Sequence, residues 1–481
     1  MNPLSRKSLI VLFTAFPVGA FLAWAVWRAD LGLVSSTYGR TFELYELFGF
    51  CISLALISVA AIEVRLKRKA GWKALSAPGL FILVSFTLLA WRTEYPGPSM
   101  DYQCFERSAV KHLQGQNPYP GTKYEYPPLM VQATAFSFKV LKAGAAVIHL
   151  KITGPGIWRM LYFLYSALHF AAILAAFLLL YRLALRIGYT DPWASLVCAG
   201  LFLFNTPLLQ AIQFNQTNIF ILDVLLAVLL LPKKFDWLSG LLVAVGTAFK
   251  LYPVLILLPW AVLRRTRALA FAALGGVAIL AVQTHGFTDW TLYGQFFSFF
   301  LHDYPQYTHY RNNCFYSLAA NTFTMIRYHV VGMDGQTWRI FSGTFSSAAV
   351  LLCIAWFAWR GLRRRLSFLS ALHYGQDRAT ANEEHERRWL LDMLPLMLLV
   401  SPTVWPHHFV LVMPFALQAL YDAKQKSPML IGLFVGLVFL LPVFDFYPFS
   451  YHRLAGLIGL CLVAPMTLSF LKASLASVPR A

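Results

Sequence analysis

Charge is scarce in this chain. Only 13% of its 481 residues are Asp, Glu, Lys or Arg, half the roughly 25% usual in soluble globular proteins. A fold of this size then has too little polar surface to face water, which excludes a soluble globular protein. Acid is scarcer than base, 21 residues against 40. Cysteine is sparse as well, at 6, and the six lack the spacing of a metal site. No repeat or low-complexity tract is visible, and nothing resembles a separate soluble domain. The dyad alternation of outer-membrane strands is also missing, which excludes a β-barrel.

What is there is apolar. Hydrophobic residues make up 58% of the chain, and the mean hydropathy is +0.59. They come in blocks such as Leu161 to Leu180 and Ala268 to Val282, long enough to cross about 30 Å of hydrocarbon as helices. The fold class is therefore all-α, a polytopic helical membrane protein.

The net charge of +19 raises the question of nucleic acid. The basic residues, however, sit just beyond hydrophobic blocks: Arg65 to Lys69, Lys233 and Lys234, Arg264 to Arg267, Arg360 to Arg365. That is the positive-inside pattern, not a basic face on a soluble domain, so no nucleic-acid partner is expected. Arg6 and Lys7 precede Ser8 to Trp27, a run too long for an ordinary signal peptide, and it reads as the first span.

The charge rule threads the chain. Further spans are expected at about Leu47 to Ile62 and Ser76 to Trp91, which puts Arg92 to Tyr126 outside. Pro128 to Val147 carries Lys139, Lys142 and Gln132. If it crossed, Arg182 and Arg186 would emerge outside, so it is read as an amphipathic helix in the interface. Spans follow at Leu161 to Leu180, Trp193 to Ile212 and Ile219 to Leu231. Leu241 to Leu263 has basic residues beyond both ends and Lys250-Leu251-Tyr252-Pro253 in its middle. A hairpin of two short helices bent there keeps both ends inside and is preferred to one helix. Ala268 to Gln283 and Trp338 to Trp359 flank a second long outer segment, and four spans from Trp389 to Phe470 complete about fourteen crossings with both termini cytoplasmic. The domains are then 1–75, a two-helix addition; 76–470, the main transmembrane body; and 471–481, a cytoplasmic tail. Cys51, Cys198, Cys353 and Cys461 fall in spans as packing residues. Cys104 and Cys314 fall in outer loops, where a disulfide is open.

On this map the polar residues that packing does not explain share the outer face. They are Asp101 and Tyr102; Asn117-Pro118-Tyr119; Glu125-Tyr126-Pro127-Pro128-Leu129; Asn215-Gln216-Thr217-Asn218; Lys250; and Ser401 to Trp405 with His407 and His408. Each has a plain reading. A loop acid is ordinarily solvated, Gln216 and Asn218 can cap a helix, and His407 and His408 beside Trp405 suit the headgroup level. Lys250 is harder to dismiss, because an ammonium in an apolar run is costly unless paired or facing a wet cavity. Asp223, in a short span, is either its partner or a packing residue.

Taken in order, these motifs resemble glycosyltransferase family 87 of the GT-C superfamily over roughly residues 76 to 470. Its members include polyprenyl-phosphate-mannose-dependent mannosyltransferases. Two departures stand out: the two spans before Ser76 are additions to the usual arrangement, and Phe214 stands where relatives often have glycine. The resemblance implies a GT-C-like fold with interfacial helices in the long outer loop and a catalytic acid at Asp101. It also implies a bacterial inner (plasma) membrane with the active site facing outward. The expected reaction moves a hexose, mannose by family habit, from a polyprenyl-phosphate-sugar donor to a lipid or glycan acceptor with inversion. Asp101 is the general base. Lys250, His407 and His408 bind the donor phosphate, and Tyr102, Glu125, Tyr126, Gln216 and Asn218 hold sugar and acceptor. No cofactor and no metal are expected, because one strong acid is present rather than a carboxylate cluster. Membrane lipids are the remaining partner. The rival is a secondary transporter with a broken-helix site at Lys250 and Asp223; no inverted repeat supports it.

Overall fold

The computed structural model describes residues 99–149, 151–203, 205–303, 309, 311–329, 335–373, 378–423, 428–441, 443–444 and 446–464. Every regular element among them is helical. The expected spans before residue 92, the 1–75 addition and the 471–481 tail lie outside the described residues. The described chain divides into two compact units, one of residues 99–179 and 210–303, the other of residues 180–209 and 309–464.

The first unit opens with the Met100–Leu113 helix. Its N-cap is Ser99, whose hydroxyl oxygen accepts the Tyr102 amide at 3.2 Å, satisfying one of the orphan donors of a first turn. The next helix, Pro128–Val147, is unbroken and has the bounds expected of the interfacial element. Pro128 starts it, a position where the missing N–H costs nothing. The Tyr124 hydroxyl pins that start, donating to the Pro127 carbonyl at 2.8 Å and accepting the Val131 amide at 3.0 Å. Met130, Val131 and Ala135 turn inward, onto an aromatic core of Tyr102, Phe105, Tyr119, Tyr124, Tyr162 and Phe296. Phe136, Val140 and Val147 are exposed. Gln132 and Gln283 exchange hydrogen bonds at 3.0 and 2.7 Å and so fasten this helix to the end of the Thr266–Gln283 helix.

The segment around Lys250 folds back on itself. Asp236–Phe249 is one helix; a 3-10 turn, Tyr252–Ile256, and a short helix, Leu257–Val262, return the chain. Pro253 enters where the helical ladder has already ended, so its missing N–H breaks nothing. At the two feet, Arg265 forms a buried ion pair with Asp236 and lies over the Trp260 ring. A single straight helix would hold those feet some 40 Å apart at about 1.5 Å per residue, so the pair requires the hairpin. The Asp236–Phe249 arm lies close on Thr266–Gln283. A side chain at Gly240 would collide with the backbone of Ala268 and Ala272, and one at Gly275 with Ala244, the small-residue seam that lets membrane helices approach.

In the second unit a cluster of buried charges joins the Gly335–His373, Arg378–Leu399 and Met413–Asp422 helices. Arg360 and Arg364 both bind Asp392, at 3.1 and 2.5 Å. Arg388 grips Asp422 with two hydrogen bonds, 2.7 and 3.0 Å, and meets Glu384 at 2.9 Å. The basic run Arg360 to Arg365 is thus partly internal, because Arg360 and Arg364 are buried. In the same unit the Pro428–Phe439 and His452–Val463 helices pack with Gly456 and Gly459 against Phe434.

Three helices among the described residues are long and apolar enough to cross a bilayer: Gly154–Ile187, Thr266–Gln283 and Thr337–Leu369. A fourth crossing results if the bent pair Trp193–Phe202 and Thr206–Gln213 is one broken span. The chain is thus a helical membrane protein, while the expected total of about fourteen crossings goes beyond these. Asn218–Leu230 and Pro428–Phe439 are apolar but reach only about 20 Å at 1.5 Å per residue, short of the hydrocarbon thickness. Cys104 and Cys314 are buried thiols that are not joined in a disulfide.

Candidate functional site

Five of the residues singled out in the sequence come together in the first unit. Asp101 sits in the first turn of the Met100–Leu113 helix, where the partial positive charge of the free amides favours a carboxylate. Ser99 fixes this turn twice over: it caps the helix and donates to the Phe214 carbonyl at 2.8 Å. That second bond draws the turn at 214–218 up to the acid. There the Gln216 side-chain amide donates to Asp101 Oδ2, while its oxygen accepts the Tyr126 hydroxyl at 3.0 Å. Gln216 is thereby oriented: the hydroxyl decides which end of the amide faces the carboxylate. Burial and the nearby Asp101 charge push the Tyr126 phenol well up, so it stays a neutral donor.

Lys250 lies beside this chain of bonds, at the tip of the hairpin and buried. Its Nζ donates to Asn218 Oδ1 at 2.6 Å and faces the rings of Tyr126 at 4.9 Å and Tyr252 at 5.8 Å. The carboxylates of Asp101 and Glu125 both act on it electrostatically. A carboxylate and an ammonium that are 149 positions apart in sequence are thus joined through Gln216, Tyr126 and Asn218. Asp223 Oδ1 is buried without a hydrogen-bond partner.

The other sequence-selected residues fare differently. Tyr102 is 3% exposed and packed edge-on to Phe105 and Tyr162, a core position beneath Asp101. Asn117 makes an Asx turn, its Oδ1 accepting the Tyr119 amide at 3.1 Å, and so shapes the loop. Burial first, then Asp101, pushes the Cys104 thiol up to about 11, which makes it unreactive. His407 and His408 belong to the second unit. Both are buried, with ring centroids 4.7 Å apart. His408 Nδ1 accepts the Trp405 amide at 3.3 Å, so a neutral ring there carries its proton on Nε2. The Ser401 turn is tied by Asn312, whose Oδ1 accepts the Val404 amide at 2.8 Å. Among the described residues no group of three His, Cys, Asp or Glu side chains is placed to hold a metal ion.

Sequence reasoning passed over Ser99, Tyr165 and His169, all of which touch the turn that carries Gln216. Ser99 had a signal in its place two residues before Asp101, at an N-cap. Tyr165 and His169 had one in their spacing, four residues apart in an apolar span and so on one helix face.

Residues 143–375 are similar to the family model described as glycosyltransferase family 87. The matched stretch is slightly less than half of the chain; it contains Gln216, Asn218 and Lys250 and stops short of Asp101 and of His407 and His408. It supports a membrane glycosyltransferase. No curated protein and no solved structure matches the chain.

Proposed function

We propose that the chain is a membrane glycosyltransferase that moves a hexose, mannose by the resemblance of its motifs, from a polyprenyl-phosphate-sugar to a hydroxyl of a lipid or glycan acceptor. The observation that carries this reading is the bonded chain from Asp101 through Gln216 and Tyr126 to the pocket of Lys250 and Asn218. It supplies the two things the reaction needs, a base and a cation, within a segment partly matched by the family model.

Asp101 takes the proton of the acceptor hydroxyl as its oxygen bonds to the sugar's anomeric carbon. The bond from that carbon to the phosphate oxygen breaks, and its electron pair leaves with polyprenyl phosphate. A phosphate is a good leaving group, so one base suffices. Lys250 stabilises the charge growing on the phosphate, where a desolvated ammonium is worth far more than in water. Glu125 and Asn218 hold sugar hydroxyls, and attack from the face opposite the phosphate inverts the anomeric centre. On this reading the site opens to the extracytoplasmic side of the inner membrane, and the exposed apolar edge of the Pro128–Val147 helix lies along the lipid.

Purified protein with lipid-phosphate mannose and a lipid or glycan acceptor tests this. Asp101→Asn keeps shape and hydrogen bonding but loses the base, so kcat should fall by about 10³-fold with donor binding intact. Near-normal turnover in that variant sinks the assignment.

A further inference from the structure

We infer that Tyr165 and His169, on the Gly154–Ile187 helix, are positioning residues that hold Asp101 in its working orientation through the backbone of the Asn215–Gln216 turn. The inference rests on Asp101 being the base.

The turn closes the Thr206–Gln213 helix, the Asn215 amide donating to the Ile212 carbonyl at 3.2 Å and the Gln216 amide to the Ala211 carbonyl at 2.8 Å, but these backbone bonds leave two costs unmet. Asn215 has φ +52°, in the left-handed region that non-glycine residues seldom adopt, asparagine being the most tolerant. Its side chain is fully buried, and neither its oxygen nor its nitrogen has a hydrogen-bond partner, a second cost. Both must be offset by the surroundings. Two side chains from the neighbouring helix do so. The Tyr165 hydroxyl donates to the Asn215 carbonyl at 2.6 Å, and His169 Nε2 meets the Gln216 carbonyl at 3.0 Å. A carbonyl only accepts, so that nitrogen carries the proton. The two rings stack, with centroids 5.9 Å apart and planes 13° from parallel, which locks both rotamers. His169 is completely buried, so its contact is with this peptide and not with solvent.

The next atoms along are those of the site. Gln216, whose carbonyl His169 holds, places its side-chain amide on Asp101 Oδ2. Letting the turn relax would carry that amide away from the carboxylate and free the base to rotate. A misplacement of about 1 Å at a reacting group costs rate, not binding. Lys250 is on the hairpin and Asn218 opens the Asn218–Leu230 helix, both outside the Asn215–Gln216 turn, so donor affinity should not respond.

Four variants test this by steady-state kinetics. Tyr165→Phe, which removes one hydroxyl, and His169→Leu should each lower kcat about tenfold, the worth of one hydrogen bond expressed in the transition state, with donor KM unchanged. His169→Gln, which keeps an N–H at the Nε2 position, should restore kcat to within about threefold of wild type. In an Asp101→Asn background, Tyr165→Phe should add no further loss in the residual rate, because its effect has nothing left to act through. Full kcat in both Tyr165→Phe and His169→Leu, or a loss that persists undiminished on top of Asp101→Asn, overturns the inference. So does a rise in KM with kcat unchanged. Failure of the underlying reading looks different: Asp101→Asn would itself turn over normally. Tyr165→Phe deletes one atom, and its melting curve in detergent tells a lost position from a lost fold.

Discussion

The candidate site of the first unit and the charge cluster of the second bury charge in opposite ways. In the second unit charge meets charge: Arg360 and Arg364 share Asp392, and Arg388 is clasped by Asp422 and Glu384. The first unit has one such pair, Asp236 with Arg265, but at its candidate site charge meets amide and ring: Asp101 accepts a hydrogen bond from Gln216, and Lys250 gives one to Asn218 while lying against Tyr126 and Tyr252. An ion-pair network is closed, because adding a ligand to it means breaking a pair already formed. An amide orients a carboxylate or an ammonium without cancelling its charge, so the field remains for a substrate. The same cost of burying ions therefore serves architecture in one place and chemistry in the other.

The contrast predicts different failures. Asp392→Ala should be the most damaging to the protein itself. It leaves two buried guanidinium groups unpaired at a cost of about 3–5 kcal/mol, seen as loss of monodisperse protein in detergent or a collapsed melting temperature. If Asp392→Ala melts normally and loses only turnover, the network is functional and the contrast fails. Lys250→Met should do the reverse: a fall of about a hundredfold in kcat/KM, carried by both terms, with unchanged melting. The smallest effect is one of pH. His385, before the apolar stretch that begins at Trp389, is held neutral by burial and by Arg364 and Arg365, its pKa lowered from 6.5 to about 4. Between those values the unfolded chain binds a proton that the folded one refuses. Stability is therefore complete above about pH 6.5 and declines as the pH falls towards 4. Melting should drop by roughly 2–4 °C between pH 7 and 5, and His385→Leu should remove that part of the slope. A flat profile in the wild type contradicts it.

Much of this was legible in the sequence. Composition gave the membrane class. The charge rule gave the helix over 128–147 and the turning point at Lys250, because each alternative would have put arginines on the wrong side. The motifs gathered Asp101, Tyr126, Gln216, Asn218 and Lys250. The roles within that set were less legible. Gln216 was expected to hold sugar or acceptor, and its amide donates to Asp101; Tyr102, given the same role, is packed against Phe105 and Tyr162. A loop residue's type says what it can bond, while its partner is fixed by distant chain. Ser99, Tyr165 and His169 escaped for the same reason, since their contacts at 214–216 lie 47 or more positions away. The span count was least legible where helices are short, because Asn218–Leu230 has the apolarity of a crossing without the length.

The ion pair of Asp236 and Arg265 closes the feet of the hairpin, and this makes the hairpin a ruler. With its base fastened, the height of Lys250 above it is set by the 14 residues of the Asp236–Phe249 arm, about 21 Å at 1.5 Å per residue. One residue inserted in that arm would lift the ammonium by only about 1.5 Å but swing it by about 100° around the helix axis. The reach of the cation is thus tied to a residue count, and its direction is far more sensitive to that count than its depth.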